Sequence, residues 1–152
     1  MTRIHVPVPI RWNDLDAYDH VNNVSMLQLL EEARIGVFWA AGGADRSEDS
    51  LAVIGSDTLT FVARQEIEYL EPIPYLRSPL DVQLWIGRIG GASFDLCYEI
   101  CSPEGVEPAA VYARAATTTV LMDAATRTPR RITDAERAAW EPYVGGSIEF
   151  RR

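Results

Sequence analysis

The sequence predicts an α+β domain in which one helix packs on a face of an antiparallel sheet, and three observations predict it. A short run with strand-like alternation comes first. A long apolar segment with helical start and stop signals follows over Val24–Ala41. From Leu51 onward the hydrophobic period changes to two, with turn residues between successive runs.

Each element has a local reason. Residues 3–12 alternate loosely through Ile4, Val6, Val8, Ile10 and Trp12 and read as a strand, whose early part Pro7 and Pro9 assign to a sheet edge. A turn segment, 13–22, leads to the helix. Asn22 or Asn23 is the expected N-cap and Gly42-Gly43 the expected stop, giving about 18 residues and about 27 Å at 1.5 Å per residue. Apolar residues, among them Val24, Leu27, Leu30, Ile35, Phe38 and Trp39, occupy most of its surface, so other structure is expected to wrap it. The polar, acidic stretch Ala44–Ser50 reads as a surface loop. In the next strand Leu59, Phe61, Ala63, Ile67 and Tyr69 fall on one face, with Thr58, Thr60, Arg64, Glu66 and Glu68 on the other. A strand with Val82, Leu84 and Ile86 is followed by a turn at Gly90-Gly91, then by one with Phe94, Leu96, Tyr98 and Ile100, and a last strand covers about Ala109–Met122. Thr133-Asp134-Ala135-Glu136 has the capping-box form and opens a short final helix.

At 152 residues and 47% hydrophobic content, the chain fits one domain spanning 1–152. No apolar run reaches the roughly 18 residues of a membrane span, because Gln28, Glu31, Glu32 and Arg34 interrupt the longest. The start lacks a secretory apolar core, so a cytoplasmic protein with no membrane partner is expected. A net charge of −8 argues against a nucleic-acid partner, which requires a basic face. All 14 basic residues are Arg. Without Lys, Schiff-base chemistry, lysine-anchored pyridoxal phosphate and a Walker-type loop are excluded. Clustered arginines can still hold a nucleotide, and Arg127, Arg130 and Arg131 form the densest internal group. Cys97 and Cys101, four apart in a strand, would stand about 13 Å apart, too far for a bridge within one chain. Free thiols fit a reducing compartment. Two Cys with His5 and His20 at no recognisable ligand spacing give no metal site. Trp12, Trp39, Trp85 and Trp140 read as core or interface aromatics.

Chemistry concentrates in Asp14-Leu15-Asp16-Ala17-Tyr18-Asp19-His20-Val21-Asn22-Asn23, which runs straight into the helix. The first-turn N–H groups lack intrahelical partners and carry the positive end of the macrodipole, so they would polarise a docked carbonyl. A carboxylate beside such donors is equipment for acyl transfer.

Trp12-Asn13-Asp14-Leu15-Asp16, His20-Val21-Asn22-Asn23 and Leu30-Glu31-Glu32-Ala33-Arg34 together resemble the signature of hot-dog-fold acyl-CoA thioesterases of the 4-hydroxybenzoyl-CoA thioesterase type. The resemblance implies a single hot-dog domain, a curved antiparallel sheet wrapped round a long central helix, working as a dimer or tetramer with sites at the subunit interface. It implies an acyl-CoA substrate, fatty or aromatic, and no metal or redox cofactor. Asp16 would attack the thioester or activate water. Asn23 would supply its backbone N–H to the thioester oxygen. His20, Asn22 and Val24 would contact substrate, with Arg88, Ser93 and the 127–131 arginines available to the nucleotide. Asp14 is expected to hold the loop through backbone N–H groups. Two positions depart from the family pattern: Asp19 stands where Gly is usual, and Met26 where many members have Tyr. If Asp19 pointed into the site, its charge would oppose ionisation of Asp16. Glu31 or Glu32 is expected to pair with Arg34 or to lie exposed at the helix edge, although a buried acid on this helix is the catalytic group in another branch of these enzymes. Two rival functions use the same residues. One is a catalytically silent domain that binds acyl-CoA or acyl-carrier protein. The other is a hydroxyacyl-thioester dehydratase using His20 with Asp16.

Overall fold

Pro9 ends the first strand early. In the computed structural model, which describes residues 2–38, 51 and 54–151, β1 covers only Ile4–Val8; residues 9–11 are irregular, and a 3₁₀ turn follows at Trp12–Asp14. The helix α1 follows at Asn23–Phe38, then β2 at Thr58–Tyr69, β3 at Leu80–Ile89, β4 at Ser93–Cys101, β5 at Val111–Asp123 and α2 at Asp134–Trp140. The five strands form one antiparallel sheet in the order β1-β3-β4-β5-β2, so β1 lies at an edge as its prolines require. At 16 residues, α1 is about 24 Å long at 1.5 Å per residue. The expected continuation through Trp39–Ala41, the Gly42-Gly43 stop and the loop Ala44–Ser50 lie outside the described residues.

The helix packs with one stripe only. Met26, Leu29, Leu30, Ala33 and Val37, at i, i+3, i+4, i+7 and i+11, are buried, while Val24, Leu27 and Ile35 on the other side are exposed. Under the buried stripe lie Leu80, Val82, Leu84 and Ile86 of β3 and Phe94, Leu96, Tyr98 and Ile100 of β4, at most 2% exposed. Met26, which stands where many members of the resembled family have Tyr, is core at 2% exposure.

A bulge in β2 corrects the face expected from alternation. Val62 pairs with Thr119 and Arg64 with Thr118, so Ala63 is the extra residue and the alternation reverses there. Ile67 and Tyr69 stand opposite Ala115 and Ala113 on the helix side, whereas Leu59 and Phe61 stand opposite Met122 and Val120 on the outer side. Arg64, Glu66 and Glu68 therefore share the outer face with Leu59 and Phe61.

The outer face carries ion pairs and a strap. Arg3 bonds Glu99 and Gln83 and lies over the Trp85 ring, 4.3 Å from its centroid. The chain after α2 crosses this face, with Gly145 N donating to Ile86 O at 2.7 Å and Trp85 Nε1 to Gly146 O at 2.9 Å. Gly87 permits that approach, since a Cβ there would stand 3.3 Å from Ser147 Cα of the strap and 2.7 Å from Cys97 Sγ of β4. Trp140 is fully buried against Phe38 and Phe94, but Trp12 is 73% exposed and stacked on Tyr75, so it is not core.

The capping box of α2 forms as read: Glu136 N donates to Thr133 Oγ1 at 3.1 Å and Thr133 N to Glu136 Oε1 at 2.8 Å. Arg130 adds a two-pronged bond to the same carboxylate, both contacts 2.8 Å. That guanidinium, with the capping N–H, holds the Glu136 carboxyl down at about 2. A carboxyl with a depressed folded value stabilises the fold above its unfolded value, and the contribution is lost as pH falls toward 2. Thermal melting across that acid range is expected to show a steeper loss of stability in the parent than in Glu136→Gln, which has no carboxyl to protonate. Parallel acid limbs would show that the pair carries no linkage.

Candidate active site

A small hairpin places the acidic loop against the helix start. Leu15 pairs with Val21, Asp16 N donates to His20 O at 2.9 Å, and Asn22 N donates to Asp14 O at 2.7 Å. The hairpin docks on the segment before β3, through Val21 N to Ile73 O at 2.9 Å and a bridge between His20 and Pro74. Within it the Asp16 carboxylate is half-buried and asymmetric. Oδ1 accepts from Tyr18 N at 2.8 Å and His20 N at 3.4 Å, while Oδ2 has no partner among the described residues. One oxygen thus fixes the loop while the other is unengaged among the described residues.

The helix start divides its roles between two residues. Asn22 is the cap, its Oδ1 accepting from Val24 N at 2.8 Å and its carbonyl from Met26 N at 2.9 Å. Asn23 is the first helical residue, and its N–H has no acceptor among the described residues. That leaves a first-turn donor with the helix macrodipole behind it. Val24, exposed on the next position, offers an apolar surface beside it.

Asp14 is 1% exposed and structural in its contacts, accepting from Arg11 N at 2.8 Å and from the Arg11 guanidinium at 3.1 Å. The same bond to Asp14 raises the Arg11 pKa above its ordinary value. His20 touches Asp16 through its backbone, and its ring makes no hydrogen bond among the described residues. The pair that a dehydratase would need is therefore not assembled here.

Other expected contacts lie elsewhere. Arg88 and Ser93 flank the β3–β4 turn, at the opposite end of β3 from the hairpin, and Arg88 pairs with Asp95 at 3.2 Å on the outer face. Within one chain the structure does not bring them to Asp16. Arg130 is committed to Glu136 and to Thr58 Oγ1 at 2.8 Å, so of that cluster only Arg127 and Arg131 project into solvent. Arg34 does not pair with Glu31 or Glu32; it donates to the buried Tyr98 hydroxyl at 3.2 Å. No periodicity signals that bond, because its partner lies 64 positions away in another strand. Both cysteines are free, and burial pushes the Cys101 thiol up to about 11. No three His, Cys, Asp or Glu side chains among the described residues converge as a ligand set, and no helix among them is long and apolar enough to cross a membrane.

The sequence model of the thioesterase-like superfamily matches residues 10–143, a span that contains the hairpin, the helix and four of the five strands. The chain belongs to that superfamily. Solved structures share the fold. A predicted thioesterase from Bacillus stearothermophilus is 21% identical with a TM-score of 0.74, covering 97% of this chain and all 100% of its own. A 1,4-dihydroxy-2-naphthoyl-CoA thioesterase from Synechocystis is 20% identical, TM-score 0.68, over 91% of this chain and 95% of its own. A thioesterase from Thermus thermophilus, crystallised with coenzyme A and Zn, is 25% identical, TM-score 0.66, over 93% of this chain and 92% of its own. No curated protein matches the chain in sequence.

As a member of this superfamily the chain accommodates its unusual residue through backbone conformation. Asp19 has φ +60°, in the left-handed region that glycine enters freely and that Asp tolerates better than most side chains. Its side chain is exposed. Asp19→Gly is therefore expected to leave the acidic limb of the kcat/KM profile in place. Stability should change by less than about 1 kcal/mol, because relief in the folded loop is offset by a freer unfolded chain. A limb that moves to lower pH in the variant would show that the Asp19 charge reaches the site.

Proposed function

We propose that this chain hydrolyses acyl-CoA thioesters to a free acid and CoA. The observation that carries the reading is the presence, in one hairpin and helix start, of an Asp16 carboxylate oxygen and an Asn23 backbone N–H that have no hydrogen-bond partner among the described residues. The N–H stabilises the oxyanion that develops on the thioester oxygen, an effect worth about 10²–10³ in rate per donor. Asp16 attacks the carbonyl carbon or takes the proton of the attacking water. In either course the carbon–sulfur bond breaks, the CoA thiolate leaves and is protonated, and water supplies the oxygen of the acid. Val24 and His20 border the acyl group, while Asn22 acts by fixing the helix start. The coenzyme A bound to the Thermus relative supports CoA as the carrier.

A second copy completes the site in this reading. Arg88 and Ser93, remote from Asp16 within one chain, reach substrate only from a partner. The test is thiol release from short, long and aromatic acyl-CoAs, with Asp16→Asn as control. Turnover that depends on Asp16 sustains the proposal. Binding of acyl-CoA with no thiol released from any of them replaces the hydrolase with a silent binding domain.

A further inference from the structure

We propose that the cavity between α1 and the helix-side face of β2, β5 and β4 receives the distal end of the acyl group, and that it selects one ending in an uncharged hydroxyl. The inference rests on the thioesterase reading above and names the substrate class for that site. The cavity holds about 250 Å³. Ile35, Phe38, Val62 and Phe94 give it apolar walls, and Glu31, Arg34, Thr60 and Thr119 are its polar residues.

Thr119 is out of place in that setting. It lies between Val62 and Phe94 in one cross-strand row, is 3% exposed, and its Oγ1 has no hydrogen-bond partner among the described residues. Valine would fill the same volume without an uncompensated hydroxyl, so the packing alone gives no reason for threonine. An oxygen on a bound ligand would satisfy it. Arg34 is similarly incomplete, giving one N–H to Tyr98 Oη at 3.2 Å with no other hydrogen-bond partner among the described residues. Glu31 sets the charge of the occupant. With one cation and one anion on its wall the cavity is neutral, so what a carboxylate tail gains at Arg34 is opposed by the like charge of Glu31, whereas an uncharged tail meets no repulsion. A hydroxyl can accept from Arg34 or Thr119 and donate to Glu31.

The path fits the helix. Arg34 is eleven residues beyond Asn23, about 16 Å along the axis at 1.5 Å per residue. The exposed side chains Val24, Leu27 and Ile35 lie on the intervening side, with Glu31 between the last two at the cavity, so an extended acyl chain can lie along Val24 and Leu27 to reach it.

The experiment compares kcat/KM for dodecanoyl-CoA, ω-hydroxydodecanoyl-CoA and the ω-carboxy analogue of the same length, in the parent and in Thr119→Val. The hydroxylated ester is expected to be preferred over the unsubstituted one by roughly tenfold or more, as for a site built to bond a hydroxyl, and the ratio should collapse toward one in the variant. Equal rates for the two esters, preference for the carboxylate, or a ratio unchanged in Thr119→Val would each overturn the proposal while leaving the hydrolase intact. If no ester is hydrolysed, the hydrolase reading fails, and thermal shifts with the same three esters decide the cavity. Selective stabilisation by the hydroxylated ester, lost in Thr119→Val, sustains it; equal shifts overturn it.

Discussion

Asp16→Asn is expected to lower kcat for thioester hydrolysis at least a hundredfold, a barrier increase of about 2.7 kcal/mol. Asparagine keeps a carbonyl oxygen that can take over the bonds from Tyr18 N and His20 N, so the loop should stand. What it loses is the second oxygen as a base or nucleophile, since an amide neither attacks a thioester nor accepts a proton at neutral pH. Thiol release measured beside a thermal melt separates chemistry from folding. Near-normal kcat in a stable variant would remove Asp16 from its assigned role. Asp14→Asn should behave in the opposite way. Its carboxylate is buried and holds Arg11 through both backbone and guanidinium, so the change should cost stability, about 1–3 kcal/mol, more than turnover.

The contrast between these two acids shows what the sequence can reveal. Cap chemistry is local, and local features are legible: the Asn22–Asn23 helix start, the Thr133–Glu136 capping box, the Gly90-Gly91 turn and the proline-marked edge strand all follow from residues within a few positions of one another. Alternation also locates β3 and β4, because their helix-side residues are apolar without interruption. It fails at β2, where the bulge at Ala63 reverses the faces with no Gly or Pro to announce it. Distant side-chain bonds are equally invisible. Spacing assigns Arg34 a helical neighbour, yet its partner is Tyr98, and Arg130, a candidate for phosphate by its clustering, is held by Glu136 and Thr58. Charged residues on a strand or loop carry no local mark of which of them are already paired. The positive φ at Asp19 is a different case: a resemblance that expects Gly there already specifies the conformation the backbone adopts.

At micromolar concentration the protein is expected to sediment as a dimer or larger assembly, with no folded monomer detectable. The two sheet edges are unequal. β1 is five residues long and carries Pro7, with Pro9 just beyond, which blunts it against further pairing, whereas β2 is twelve residues long and has no proline. Beside that open edge, Val62 and Tyr69 on the helix side of β2 and Leu27 and Ile35 on α1 leave apolar surface exposed on one flank of the molecule. Pairing β2 with its own symmetry mate would cover the strand edge and this flank together, and a two-fold interface of that kind closes without leading to a filament. Because the partner would bind only the folded chain, the unfolding midpoint should also rise with protein concentration. Tyr69→Asp tests the surface directly. Tyr69 is 53% exposed in the isolated chain, so a charge there costs little unless a second copy buries it. The variant should therefore lose assembly, stability and thiol release together. A folded, fully active monomer, in parent or variant, would show that one chain suffices. It would remove both the second copy and the route by which Arg88 and Ser93 could reach a substrate held at Asp16.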